Sequence, residues 1–298
     1  MKKISPINST TVRSFVRLGI QEMQQHVPGW VAWMLRSQFT RTNPVPVPRL
    51  GIVERPQHQW EMRAEGGRLR GYSWGASLSI ASRVALVSHG WNSNAFRLYP
   101  LIESLRQQGF TVVALDHLGH GASTGRHASL PQFARSLRRV ARSLPRLDLF
   151  VGHSMGGAAG ALALSQGMSA RAAVLLAPPA DVRDYVRRFA TAYGLSSEVA
   201  ALLQEDLELR EHVELDQLVP EVMAVGLKIP ALVVCDQHDR EVPLEASRRY
   251  VENWAGAEWL VTEQLGHNRI LHDPQVLSRI GEFVSQSLGL DSTASALR

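Results

Sequence analysis

Leu147-Asp148-Leu149-Phe150-Val151-Gly152-His153-Ser154-Met155-Gly156-Gly157-Ala158-Ala159-Gly160-Ala161-Leu162 is the stretch whose reading decides the fold. At its centre, Gly152 to Gly156 has the form G-x-S-x-G, in which a serine is held on a sharp turn between a strand and a helix. The glycines are physical requirements, because a side chain on either flank of such a turn collides with backbone. The pattern is short enough for chance to supply, so its flanks decide. Arg146 to Val151 is a brief, mostly apolar run that reads as a buried strand. After Ser154 the chain is small and apolar without proline as far as Leu164, which reads as a helix lying close against a sheet. Each glycine costs that helix about 0.5–1 kcal/mol against alanine, so close packing must offset them. The alternative is an ordinary glycine-rich strand–helix turn.

Working outward, apolar runs recur with helical patterns between them, the appearance of a parallel sheet covered on both faces. The expected strands are Arg83–Ser88, Phe110–Asp116, Leu147–Gly152, Ala172–Ala177, Ala231–Asp236 and Trp259–Thr262. A weaker pair, Gln59–Ala64 and Leu69–Trp74, is joined by Glu65-Gly66-Gly67-Arg68 as a hairpin, which brings the expected sheet to eight strands. Helices are expected over Phe96–Gln108, Leu130–Leu144 and Pro274–Leu288, the last capped by Asp273.

Two segments break this alternation. About 50 residues separate the strand ending near Ala177 from the one starting near Ala231, far more than one crossover needs. Asp181 to Val225 is rich in Leu, Val, Glu and Arg at helical spacing, with breaks at Gly194-Leu195-Ser196 and near Pro220. It reads as two or three helices inserted over about 180–228, forming a cap at the carboxyl ends of the strands, where open α/β sheets bind ligands. A helical decoration without a binding role is the other reading. Residues 1–48 differ in character. Val12, Phe15, Val16, Ile20 and Met23 follow helical spacing, Trp30, Trp33, Met34, Leu35 and Phe39 come next, and Pro44-Val45-Pro46-Val47-Pro48 reads as an extended tether. The expected division is therefore this amphipathic segment, then an α/β domain over 49–298 that carries the cap insertion. The N-terminal segment either docks on the domain or lies weakly on a membrane or partner surface. Residues 1–45 read as separable from a soluble core.

A serine hydroxyl is a poor nucleophile unless a base lies within hydrogen-bond reach and is itself oriented by a third group. In sheets of this kind the chain order is Ser, then Asp or Glu, then His. Both follow here: the strand Ala231–Asp236 runs into Gln237-His238-Asp239-Arg240-Glu241-Val242-Pro243, and Glu258–Glu263 leads to Gln264-Leu265-Gly266-His267-Asn268.

With these residues the chain resembles the α/β-hydrolase superfamily, specifically its capped serine esterase and lipase-like members, from about Trp60 onward. The resemblance implies a mostly parallel eight-stranded sheet with helices on both faces and a helical cap. In that family the acid follows the penultimate strand in a D-x-x-D-x-x-V-P pattern, matched by Asp236, Asp239, Val242 and Pro243, and the second aspartate is the usual acid. The base follows the last strand in a G-H pattern, matched by Gly266-His267. The resemblance thus implies Ser154, Asp239 and His267 as catalytic residues, with Asp236 the other candidate acid. Ser88-His89-Gly90-Trp91-Asn92 matches the family's H-G-x pattern, which implies an oxyanion hole of the Trp91 and Met155 N–H groups and a structural role for His89. Asp116 to Ser123 matches the family's turn after the next strand. His117, His120 and His127 raise the question of a metal, but no carboxylate or cysteine spacing completes a site, so neither metal nor cofactor is expected.

Composition closes off other classes. The net charge of +5 is almost wholly arginine, lysine occurring only at Lys2, Lys3 and Lys228. The arginines form no stripe interleaved with aromatics, so nucleic acid is not an expected partner. A single cysteine, Cys235, excludes an internal disulfide and reads as a small buried hydrophobe. After Met1-Lys2-Lys3 polar residues and Pro6 occupy the place of a signal-peptide apolar core, and Gly29 to Leu35 is too short to span a bilayer, so the cytoplasm is the expected location. The expected function is hydrolysis of carboxylic esters through an acyl-enzyme, on a small acyl substrate. A thioesterase, an amidase or a carbon–carbon bond hydrolase would use the same triad, and a non-catalytic binding or sensor protein could share the scaffold. Sequence leaves the oligomeric state open.

Overall fold

The computed structural model describes residues 9–43, 45 and 54–290. Most of the expected proline-rich tether (Pro44, Pro46, Val47 and Pro48) lies outside the described residues. The chain divides into two compact units, residues 41–180 with 218–298, and residues 1–40 with 181–217.

The larger unit is built on eight strands: β1 (His58–Ala64), β2 (Gly67–Trp74), β3 (Arg83–Ser88), β4 (Phe110–Asp116), β5 (Leu149–His153), β6 (Ala172–Leu176), β7 (Ala231–Asp236) and β8 (Glu258–Thr262). Their order across the sheet is β1-β2-β4-β3-β5-β6-β7-β8. β1 and β2 form the expected hairpin, β2 runs antiparallel to β4, and every pairing from β4 to β8 is parallel. Strands β4 to β7 are buried along their whole length, which explains why they read as unbroken apolar runs instead of alternating ones.

Burial on both faces still sorts by period two. Ala85, Val87, Val112, Ala114, Leu149, Val151, Val174, Leu176, Leu232 and Val234 share one cluster with Leu101, Ile102 and Leu105 of one helix (Tyr99–Gln107) and Val276, Ile280 and Phe283 of another (Pro274–Leu288). The intervening Val84, Leu86, Val113, Phe150, Ala173, Leu175 and Val233 are equally buried. A second group of helices packs side by side in chain order, Leu130–Ala141, Met155–Ser165, Pro220–Met223 and Leu244–Asn253. The expected eight-stranded, mostly parallel sheet is therefore found.

Boundaries shift where side chains intervene. The strand expected from Leu147 begins at Leu149, because the buried Asp148 pairs through its side chain, accepting from the Val84 N–H at 2.9 Å. The helix expected from Phe96 opens as a 3-10 turn, Ala95–Leu98, capped by Asn94, and becomes α-helical only at Tyr99, where Pro100 suits the first turn. Cys235 is buried on β7 and accepts the Trp259 indole N–H at 3.1 Å.

The smaller unit is all helical: α1 (Ser9–His26), α2 (Pro28–Phe39), α6 (Val182–Tyr193) and α7 (Ser197–Glu211), the intervening helices of the larger unit supplying α3 (Tyr99–Gln107), α4 (Leu130–Ala141) and α5 (Met155–Ser165). The break between α6 and α7 falls where Gly194 takes a left-handed φ of 67° and Ser196 caps α7 by accepting from the Val199 N–H. α2 packs mainly on α7. Val31, Ala32 and Leu35 on α2 and Val199, Leu203 and Leu207 on α7 are buried, and Arg36 pairs with Asp206 at 2.5 Å. Gln24 joins α1 to the α6–α7 turn, donating to the Gly194 carbonyl and accepting from the Ser196 N–H.

Candidate active site

Every sequence-predicted site residue follows the carboxyl end of a parallel strand, and those ends lie along one edge of the sheet. Ser154 follows β5, Gly90-Trp91 follows the neighbouring β3, Asp239 follows β7 and His267 follows β8.

Ser154 sits between β5 and α5 with φ 53° and ψ −127°, a strained conformation for a residue with a side chain. Its N–H donates to the Leu176 carbonyl at 2.8 Å, and its own carbonyl accepts the Gly157 N–H at 2.8 Å, so the neighbouring strand β6 and the helix α5 hold the turn. The glycines around it are sterically required. A Cβ on Gly152 would lie 2.6 Å from the Gly156 carbonyl oxygen, and one on Gly156 would lie 2.5 Å from the His89 carbonyl oxygen.

His267 opens a short helical turn, Gly266–Arg269, and its side chain is buried. Its Nδ1–H donates to Asp239 Oδ2 at 2.7 Å. The other oxygen of Asp239 accepts the N–H groups of Glu241 and Val242 at 2.8 and 3.0 Å. Burial pushes the Asp239 carboxyl up, but the His267 bond and these two N–H groups outweigh it and hold the group below its ordinary value. Asp239 is thus an ionised, fixed acceptor facing one nitrogen of the imidazole.

Asp236 is fully buried and has different partners. It accepts from the His238 N–H, the Thr262 hydroxyl and the Leu265 N–H, each at 2.9 Å. Burial raises its carboxyl, and the backbone donors at Gly266, Leu265 and His238 more than reverse that. The structure therefore ties Asp236 to the backbone of the loop that carries His267 and Asp239 to the imidazole itself.

A residue whose role sequence did not reveal is His153. Its buried Nε2–H donates to the His267 carbonyl at 2.9 Å, fixing the His267 loop to the end of β5 next to Ser154. Burial, then the neighbouring His267, lowers its pKa to about 3, so it stays neutral. No hydrogen bond joins the Ser154 hydroxyl to His267 among the described residues; such bonds often tighten only once substrate is bound.

On the other flank, Gly90 approaches so closely that a Cβ there would lie 2.8 Å from the Ser154 Cβ. Among the described residues neither the Trp91 N–H nor the Met155 N–H is donated to a protein acceptor. Three buried histidines shape this turn. His89 donates from Nδ1 to the Gly90 carbonyl at 2.7 Å and accepts the His117 N–H on Nε2. His120 donates from Nδ1 to the Leu118 carbonyl and accepts the Asn92 N–H on Nε2 at 3.1 Å. His117 stacks on Phe133 at 3.6 Å and meets the Ser88 hydroxyl. Burial lowers His89 to about 4 and His120 to about 3, and His117 well below its ordinary value. Asp116 anchors the same corner, accepting from the Tyr72 hydroxyl and from the Ala95 and Ala122 N–H groups. Among the described residues no group of three or more His, Cys, Asp or Glu side chains is placed to hold a metal.

Comparison with known proteins agrees with this architecture. A family model described as serine aminopeptidase, S33, matches residues 80–226. A monoacylglycerol lipase of Mycolicibacterium smegmatis is 30% identical over 220 residues, covering 59% of this chain and 76% of that protein. A monoglyceride lipase homologue of monkeypox virus is 29% identical over 119 residues, covering 37% of this chain and only 43% of that protein. The solved structure of a Pyrococcus furiosus esterase superposes with a TM-score of 0.61 at 20% identity, covering 83% of this chain and 98% of the esterase. The chain belongs to the α/β-hydrolase family, among its esterase- and lipase-like serine hydrolases.

Proposed function

We propose that this protein hydrolyses carboxylic esters through an acyl-enzyme formed on Ser154. One observation carries the reading: the strained Ser154 turn is tied through His153 to the loop of an imidazole whose Nδ1–H is held at 2.7 Å by an ionised carboxylate, and among the described residues the Trp91 and Met155 N–H groups have no protein acceptor. Ser154 Oγ attacks the acyl carbonyl while His267 Nε2 takes its proton, and Asp239 holds the tautomer and stabilises the imidazolium. The N–H groups of Trp91 and Met155 stabilise the oxyanion, a contribution of about 100-fold or more in rate for each donor. His267 returns its proton to the leaving alcohol, then activates the water that releases the acid.

The relatives named monoacylglycerol or monoglyceride lipase favour an acyl ester of a small alcohol as the substrate class. The α6–α7 pair mixes leucine and valine with Glu205, Asp206 and Glu208, which favours modest acyl groups over a broad long-chain surface. In this reading residues 181–217 belong to the cap insertion, and the larger unit carries Ser154, Asp239 and His267. A fluorophosphonate probe should label Ser154, and Ser154→Ala should not be labelled. Activity should be highest on p-nitrophenyl esters and monoacylglycerols when these are compared with acyl thioesters and amides. Folded protein that resists the probe would remove the catalytic reading; thioester or amide preference would move the substrate.

A further inference from the structure

We propose that His153 is a positioning residue for the Ser154 reaction, pinning the main-chain carbonyl of His267 so that the imidazole is presented to the nucleophile. The inference rests on the acyl-enzyme reading above and gives a role to a buried group which that mechanism does not use. His153 is the last residue of β5 and lies in register with Leu176 of β6, whose carbonyl accepts the Ser154 N–H. Its ring therefore projects from a fixed point, one residue before the nucleophile. Its Nε2–H donates to the His267 carbonyl at 2.9 Å, and the two imidazole centroids stand 4.7 Å apart.

The backbone leaves that carbonyl to His153. In a continuing α-helix it would accept the Leu271 N–H, yet the Ile270 and Leu271 N–H groups both go to the Asn268 carbonyl. His267 is thus held at two points, by Asp239 on its Nδ1–H at 2.7 Å and by His153 on its carbonyl. The first bond sets the direction of the ring; the second sets how far the turn Gly266–Arg269 stands from the end of β5. The remainder of the His153 ring is poorly suited to packing alone. Burial keeps it neutral, so with its one proton on Nε2 the buried Nδ1 is an acceptor, and it has no hydrogen-bond partner among the described residues. An apolar side chain of similar volume would avoid that penalty. Gly90 packs against the same edge, where a Cβ would lie 3.4 Å from Nδ1 and 2.8 Å from the Ser154 Cβ. One ring thereby spaces the turns that carry Trp91, Ser154 and His267. Such spacing bears on rate, because a displacement of about 1 Å at a reacting group can cost about 100-fold.

Three substitutions separate positioning from packing. The amide of His153→Gln reaches the place of Nε2 and can still donate to the His267 carbonyl; that of His153→Asn stops at the place of Nδ1, and His153→Leu offers no donor. On p-nitrophenyl butyrate, His153→Asn and His153→Leu should lose about 100-fold in kcat with KM within about twofold, and His153→Gln should stay within about fivefold of wild type in kcat. Urea midpoints, measured alongside, should not rank the variants in that order. A second readout does not need turnover. In the full chain carrying Ser154→Ala, the low-field proton resonance of the His267 Nδ1–H should persist with His153→Gln and shift or broaden with His153→Asn. Equal kcat in all three variants overturns the proposal, as does a His153→Gln loss as large as that of His153→Asn, or a loss confined to KM. Should His153→Leu fail to fold, the contrast between Gln and Asn decides. A wild-type chain that neither turns over esters nor reacts with the fluorophosphonate removes the acyl-enzyme reading, and the resonance then decides the placement of His267 by itself.

Discussion

Asp236 and Asp239 stand three residues apart, both buried, yet their partners give them separable consequences. Asp239→Asn keeps the side-chain volume but replaces the acceptor that fixes the His267 tautomer, so kcat should fall about 10²–10⁴-fold with little change in stability. Asp236→Asn places an amide where backbone N–H groups converge, so its first effect should be a loss of about 1–3 kcal/mol in urea denaturation. Equal stability with a larger activity loss in the Asp236 variant would exchange the two assignments. Much of this site was legible in the chain, because Gly152–Gly156, Asp239 before Val242-Pro243, and Gly266-His267 are local patterns fixed by the ends of strands. His153 was not legible in the same way. Its partner is a carbonyl 114 residues away, and no spacing rule reports a bond made by the packing of β5 against the His267 loop. The histidines after β3 and β4 were visible as residues, but their neutral, fixed tautomers follow from burial and from the carbonyls they meet.

At the level of elements, α5 shows how glycine placement sets the fold. Gly156 to Leu164 is buried without interruption, so α5 has no wet face and reads as uniformly small and apolar. Gly160 is the clearest constraint, because a Cβ there would overlap the Phe150 ring of β5. Gly160→Ala should therefore destabilise by about 1–3 kcal/mol through overpacking, despite the better helix propensity of alanine. Gly160→Ala/Phe150→Leu should recover part of that loss in a double-mutant cycle, and additive losses would show that the ring is not the obstacle. The same apolar continuity made β3 to β7 easy to find, since strands buried on both faces need no alternation to stand out. Their ends were harder. Asp148 and Asn94 move boundaries through side-chain bonds to backbone, which compete with the regular pattern locally.

For the whole molecule, the buried histidines set an acid limit. His89 at about 4 and His120 and His153 at about 3 lie below the ordinary value near 6.5, so between those limits the unfolded chain binds protons that the folded one refuses. Stability is then full above about pH 6.5 and falls as pH drops, by up to about 3 kcal/mol for the three between pH 6.5 and 5.5. Asp116, raised by burial, acts in the opposite sense. Urea midpoints measured at pH 7.5, 6.5 and 5.5 should fall in that order, and a flat profile would refute the neutral cluster. A second expectation concerns the N-terminal helices, which sequence presented as separable. In the smaller unit α2 is the main partner of α7, and such a long-range pairing leaves no mark in either segment's periodicity beyond an apolar stripe. Removing residues 1–40 would bare part of the stripe of Val199, Leu203 and Leu207, leave Asp206 without Arg36, and take Gln24 from the Gly194–Ser196 turn. Each of those apolar side chains is worth about 1.5–3 kcal/mol when fully buried. The truncated chain should therefore show a lower melting temperature and rapid protease cleavage within residues 181–217, while the full chain resists. Unchanged resistance there would mean that α6 and α7 hold together without α1 and α2, and that the N-terminal helices serve a surface instead of a core.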